Sequence, residues 1–182
     1  MTNRFPTRFA LALTACCVIL TSGCASMNNR PLATVDYVDI DRFMGDWFVI
    51  AHIPARLERN AHNAIESYRL AADGSIETTY TFSTAGVDGE KRSYHPRGFI
   101  HDRKSNAEWR MQFVWPFKAE YLIVYLDDDY TLTMVGRSKR DYLWIMSRQP
   151  KISEATLQDL ISRAEAMGYD PDRIRTVPQS WP

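Results

Sequence analysis

The side chains with which this chain could do chemistry are three cysteines, four histidines and a few ill-placed acids. Cys16, Cys17 and Cys24 all lie in the first 24 of 182 residues. The rest of the chain therefore holds no thiol nucleophile, disulfide framework or cysteine metal site. His52, His62, His95 and His101 form no His-x-x-x-His pair and no helix-borne ligand set, so they read as solvated or turn histidines. Asp127, Asp128 and Asp129 lack the oxygen-rich loop that calcium needs and read as a solvated turn. No Gly-x-Ser-x-Gly, P-loop or dinucleotide fingerprint occurs, and neither a metal nor a cofactor is expected. Lys and Arg total 22 against 22 Asp and Glu, which leaves no basic footprint for nucleic acid. With 45% apolar, 12% aromatic and 24% charged residues, the composition is that of one globular domain plus a short extra segment.

That segment is the N-terminus. Arg4 and Arg8 precede an uncharged stretch, 9–20, too short to span a bilayer. Small residues Thr21, Ser22 and Gly23 then lead to Cys24. The arrangement resembles a bacterial lipoprotein signal, in which the cysteine becomes the acylated mature N-terminus. Thr21 departs from the Leu-like residue usual three positions before that cysteine. Leu13-Thr14-Ala15-Cys16 fits locally but leaves a very short apolar core, so Cys24 is the preferred acylation site. The alternative is an ordinary signal with incidental cysteines. The expected division is a signal at 1–23, a lipidated cysteine and tether at 24–35, and a folded domain at 36–182. Removing 1–23 leaves 20 basic against 22 acidic residues, net −2. Ala25 stands where an Asp tends to mark inner-membrane retention, which favours the outer membrane.

The elements that must position everything else are strands. Eight short runs, 46–51, 64–70, 76–83, 93–100, 109–114, 121–126, 131–136 and 142–147, alternate with period two between turn residues. Pro96 marks an edge or bulge in the fourth. Serial strands with short links predict an all-β, eight-stranded up-and-down antiparallel barrel. Runs six and eight are apolar on both faces and need an outer cover. One amphipathic helix, about 153–167, with Ser153 as N-cap and Gly168 as stop, is predicted to pack outside them.

On this frame Gly45-Asp46-Trp47 follows a short segment at 40–44, Asp127 and Tyr130 sit between runs six and seven, and Arg148 ends run eight. With these motifs in order the chain resembles the lipocalin family, specifically bacterial outer-membrane lipoprotein lipocalins related to apolipoprotein D. The resemblance covers about 36–182. It implies that Trp47 lies across the closed end of the barrel with Arg148 stacked on it, and that neither is catalytic.

The resemblance also implies a cavity faced by the parity of Ile123 and Met134. Extending the alternation gives Val49 and Ala51 in run one, Glu66 and Tyr68 in run two, Tyr80 and Phe82 in run three, and Phe99 in run four. Run five adds Trp109, Met111 and Phe113; run six adds Tyr121, Ile123 and Tyr125. Leu132, Met134 and Trp144 complete the set. Such walls suit an acyl chain, with tyrosines for a polar head. Glu66 is the odd member: it pairs with an inward Arg, reaches the rim, or meets a ligand's head. The implied ligands are fatty acids or lysophospholipids, carried in lipid transport or storage at the periplasmic side of the outer membrane. The alternative is an envelope enzyme acting on a lipid or isoprenoid-like substrate, which a buried Glu66 beside His52 or His95 would favour. An apolar patch around the open end would mark an adaptor surface or a homodimer face.

Overall fold

The computed structural model describes residues 31–55 and 58–181. The expected signal and Cys24 lie outside the described residues. A one-turn helix α1 (Ile40–Phe43), capped by the Asp39 carboxylate on the Arg42 N–H, precedes the first strand. Strands β1 (Gly45–Ile53), β2 (Ala61–Leu70), β3 (Ile76–Thr84), β4 (Lys91–Tyr94), β5 (Arg97–Ile100), β6 (Glu108–Val114), β7 (Phe117–Leu126), β8 (Leu132–Gly136) and β9 (Leu143–Ser147) follow. All pairings are antiparallel between neighbours, and β1 pairs with β9 to close the ring. The barrel of eight staves expected from the alternation is present. The fourth stave is broken: β4 and β5 flank His95-Pro96, and both pair with β3, while β5 alone goes on to β6. Pro96 lacks the N–H a continuous ladder needs.

Four register shifts interrupt the ladders: one on β2 between His62 and Ile65, one on β6 between Met111 and Val114, and two on β1 and β7 that turn expected inward residues out. Between Val49 and Ala51 on β1, opposite β9, and between Ile123 and Tyr125 on β7, opposite β8, one extra residue enters the strand. Each bulge inverts the alternation beyond it. Ile50 and Ala51, and likewise Val124 and Tyr125, consequently sit together on the outer face.

The helix α2 (Glu154–Ala166) lies on that face. Ser153 caps it by accepting from the Thr156 N–H at 3.0 Å, and Gly168, at φ +90°, ends it. Leu157, Leu160 and Ala164 recur at helical spacing and bury against an outer cluster that includes Ile50, Ile53, Leu122, Val124, Met134 and Ile145. Each buried Leu contributes about 1.5–3 kcal/mol. A second, inner cluster fills the lower barrel around Phe43, Trp47, Tyr68, Trp109 and Ile123. The apolar outer faces are not all that secures the C-terminal segment. A short strand β10 (Arg175–Thr176) pairs with β1 at His52 and Ala51. The tail beyond it bridges β1 and β2: Val177 N–H donates to Ile50 O, Asn63 N–H to Pro178 O, and the Gln179 amide to Val49 O and Ala64 O. The carbonyls freed by the bulge are thereby satisfied.

Candidate functional site: a calyx with a tyrosine–glutamate floor

One end of the barrel is shut by the motif residues. The Arg148 guanidinium stacks 3.8 Å from the Trp47 ring and donates to the carbonyls of Arg42, Phe43, Met44 and Asp46. Trp47 donates to Phe43 O at 2.9 Å. Gly45 is at φ +94°, a backbone conformation that side chains rarely adopt, so the motif glycine serves conformation. Asp127 caps its turn by accepting from the Thr131 and Leu132 N–H groups. The Tyr130 hydroxyl accepts from the Asp39 N–H at 2.8 Å, tying that turn to α1.

Above this floor the barrel opens into a cavity of about 460 Å³. That volume lies within the usual range for small-molecule sites. Met111, Phe113, Val114, Ala119, Tyr94 and Pro96 give it apolar and aromatic walls. Glu66, opposite Trp47 on β1 and Tyr80 on β3, is buried low in the wall. Its carboxyl is bonded by the Tyr68 hydroxyl and, at 3.1 Å, by the Tyr121 hydroxyl; the two hydroxyls also touch each other. Burial pushes the Glu66 pKa up to about 8. The Glu58 carboxylate adds to the rise, and the Tyr121 hydrogen bond opposes it. At neutral pH the floor is therefore a neutral, proton-holding cluster. Burial likewise raises the Tyr80 and Tyr121 hydroxyls. Tyr80 OH, Thr78 Oγ1, Trp144 Nε1 and Glu58 Oε2 are buried at the cavity without a hydrogen-bond partner among the described residues. Their hydrogen-bonding capacity is open toward the cavity.

The sequence-predicted set divides three ways. Glu66, Tyr80, Met111, Phe113, Tyr121 and Trp144 line the cavity. Tyr68, Phe82, Trp109 and Ile123 face inward but are packed into the inner cluster, with Trp109 stacked on Tyr121 at 5.5 Å between ring centres. Tyr125, Leu132 and Met134 face outward, against the expectation, because the β7 bulge inverts the parity there. Tyr125 lies under Arg163 of α2. Ala51 is turned out by the β1 bulge in the same way. Phe99 is also outside, beneath the Lys118 ammonium at 3.7 Å; Gly98 takes the inward position, against Met111 and Ile76. His52 is no solvated histidine. It is buried, with Nδ1 3.7 Å from Glu58 Oε2. Glu66 meets neither an Arg nor the rim, and its partners are tyrosines rather than His52 or His95. Thr78 and Tyr142 also line the cavity. Thr78 shares the parity of Tyr80, and Tyr142, the first residue of the run 142–147, shares that of Trp144, so both could have been found from the alternation.

A lipocalin-like domain matches residues 38–179. Temperature-induced lipocalin-1 of Arabidopsis thaliana is 31% identical over 167 residues, covering 84% of this chain and 85% of that protein. Outer membrane lipoprotein Blc of Escherichia coli K12 is 27% identical over 173 residues, covering 93% and 96%. Among solved structures, insecticyanin of the tobacco hornworm Manduca sexta superposes with a TM-score of 0.64 at 14% identity, over 83% of this chain and 86% of that one. Barrel, closed-end stack, outer helix and sequence agree: the chain belongs to the lipocalin family.

Proposed function

We propose that this protein is an outer-membrane lipoprotein whose barrel binds a small hydrophobic ligand, a fatty acid or lysophospholipid, for lipid transport or storage at the cell envelope. Acylation at Cys24 would anchor it, with the barrel on the periplasmic side. The observation that carries the reading is the cavity itself: about 460 Å³, apolar and aromatic along its walls, shut at one end and open at the other. An acyl chain laid against those walls gains about 0.8 kcal/mol per buried methylene. The unpartnered Tyr80, Thr78 and Trp144 groups offer donors to a polar head. The relation to outer membrane lipoprotein Blc supports the location. The envelope-enzyme alternative is less well supported, because the Glu66 carboxyl is engaged by two tyrosine hydroxyls and not by an imidazole. Mass spectrometry of lipids that co-purify with the barrel, with displacement of a fluorescent fatty acid, tests the reading. Recovery of stoichiometric lipid and competitive displacement are expected. A protein that carries none and displaces nothing would end it.

A further inference from the structure

The most exposed apolar surface among the described residues is one hairpin tip. Phe113, Val114, Trp115 and Phe117 are 59%, 67%, 82% and 76% exposed. They stand at the β6–β7 turn, where Val114 pairs with Phe117. The hairpin outruns its neighbours on both sides: β5 stops pairing with β6 at Gln112, and β8 stops pairing with β7 at Leu122. From Leu122 to the tip at Pro116 is roughly 20 Å of extended strand. Phe113 and Val114 also line the cavity, so the tip is continuous with the mouth of the calyx.

The chain N-terminal to the barrel leads to the same end. Traced back from Val38, whose N–H bonds Ser105 O near the closed end, it runs along β7, where the Val35 N–H donates to Ile123 O, and then past Val124 on the outer face. It reaches Leu32 beside Gly136, the last residue of β8, and Pro31 beside Arg140 of the β8–β9 turn. The seven residues from Pro31 back to Cys24 extend at most ~25 Å, enough to reach the level of the tip. An exposed aromatic and aliphatic cluster, next to the Lys118 ammonium and on the side toward which the tether runs, has the composition of a bilayer-interface anchor.

We infer that the β6–β7 hairpin is a prong that enters a lipid bilayer and holds the open mouth of the barrel against the membrane surface. The inference rests on the lipoprotein reading for the tether alone. Cargo would then pass between bilayer and cavity along Phe113 and Val114 without crossing water.

The test uses the chain with Cys24→Ser, so that no acyl group contributes, and vesicles of phosphatidylethanolamine and phosphatidylglycerol. The protein is expected to float with the vesicles, with tryptophan emission quenched by brominated acyl chains. Trp115→Phe should keep flotation and lose that quenching. Trp115→Asp with Phe117→Asp should lower partitioning roughly a hundredfold, and either alone roughly tenfold. Neither residue lines the cavity, so displacement of fluorescent fatty acid in vesicle-free solution should be unchanged. That retained binding also reports that the variants fold. Flotation indifferent to the double substitution, or absent from the start, overturns the inference. So does a self-association that the substitutions abolish, which would assign the tip to a second copy of this chain. An unmodified Cys24 in the intact mass of envelope-purified protein would instead overturn the anchor, and an empty calyx the cargo. Neither would alter the vesicle result.

Discussion

Replacing Glu66 with Gln should change how the stability of this protein depends on pH, in a direction opposite to that of most carboxylates. In the native barrel burial holds the Glu66 proton up to about 8, whereas its ordinary value is 4.5. Below about pH 4.5 both native and unfolded chains carry the proton, and the contribution of the buried neutral acid is fully present. Between 4.5 and 8 the unfolded chain releases the proton and the native chain keeps it, so stability falls by about 1.4 kcal/mol per pH unit. Across the whole window the loss is on the order of 5 kcal/mol, and above about 8 it levels off. Glu66→Gln keeps the size of the side chain and hydrogen-bonding to Tyr68 and Tyr121 but has no proton to hold. Urea unfolding of both proteins, in small steps from pH 5 to 9, isolates the effect, because every other group titrates in both. The stability of the parent relative to the variant should decline steadily over the window. Glu58→Gln, which removes the second cause of the shift, should end the decline at a lower pH and so reduce its total. A difference that stays flat, or rises with pH, would refute the picture of a neutral carboxyl on the calyx floor.

Met134→Ala should cost about 2–4 kcal/mol in urea unfolding and leave fatty-acid affinity unchanged, because Met134 packs under α2 and not in the cavity. Ala119→Trp should do the reverse, weakening fatty-acid displacement by at least about tenfold while the unfolding midpoint holds, since it fills the cavity. Arg148→Met should lower stability by about 2–4 kcal/mol in the same assay, because the closed end loses its stack on Trp47 and the donors to five carbonyls, that of Tyr130 included. Gly136→Ala would place a Cβ on the Tyr169 hydroxyl and against Leu32. A loss of about 1–3 kcal/mol by thermal melting is expected, partly relieved by Tyr169→Phe.

The periodicity located all eight staves and the covering helix, because alternation in 76–83 and helical spacing in 157–164 are direct images of a one-sided burial. The closed end was legible for a different reason: a glycine, a tryptophan and an arginine at fixed places leave few ways to pack. Facing directions failed next to irregularities the residue types do not report. Residues 122–126 are apolar on both faces, so nothing in their types reports the bulge at Val124; the inward assignments of Tyr125 and, on the strand paired to it, Leu132 and Met134 invert, whereas Trp144 on the next strand keeps its place in the cavity. Pro96 did announce a break, but not that Gly98, rather than Phe99, would resume the inward phase. The tail at 175–180 is polar and aperiodic. Its role comes from the carbonyls left open between β1 and β2, which only the folded barrel creates. Glu58 escaped notice because its effect on Glu66 is made through space, from a loop.

The strand wall separates two apolar clusters, one inside the ring and one between the ring and α2. A vessel that fills and empties cannot draw its rigidity from its contents. Here the side chains of Leu157, Leu160, Met134 and Ile145 are sealed from the cavity by the backbone of the barrel itself, so cargo can leave without opening a void among them. The outer cluster works as ballast: it sets the shape of the wall while the inner face stays free to diverge. Substitutions that retune the interior for another ligand should therefore be tolerated more readily than those beneath the helix, a separation of roles that lets one scaffold change cargo without first becoming more stable.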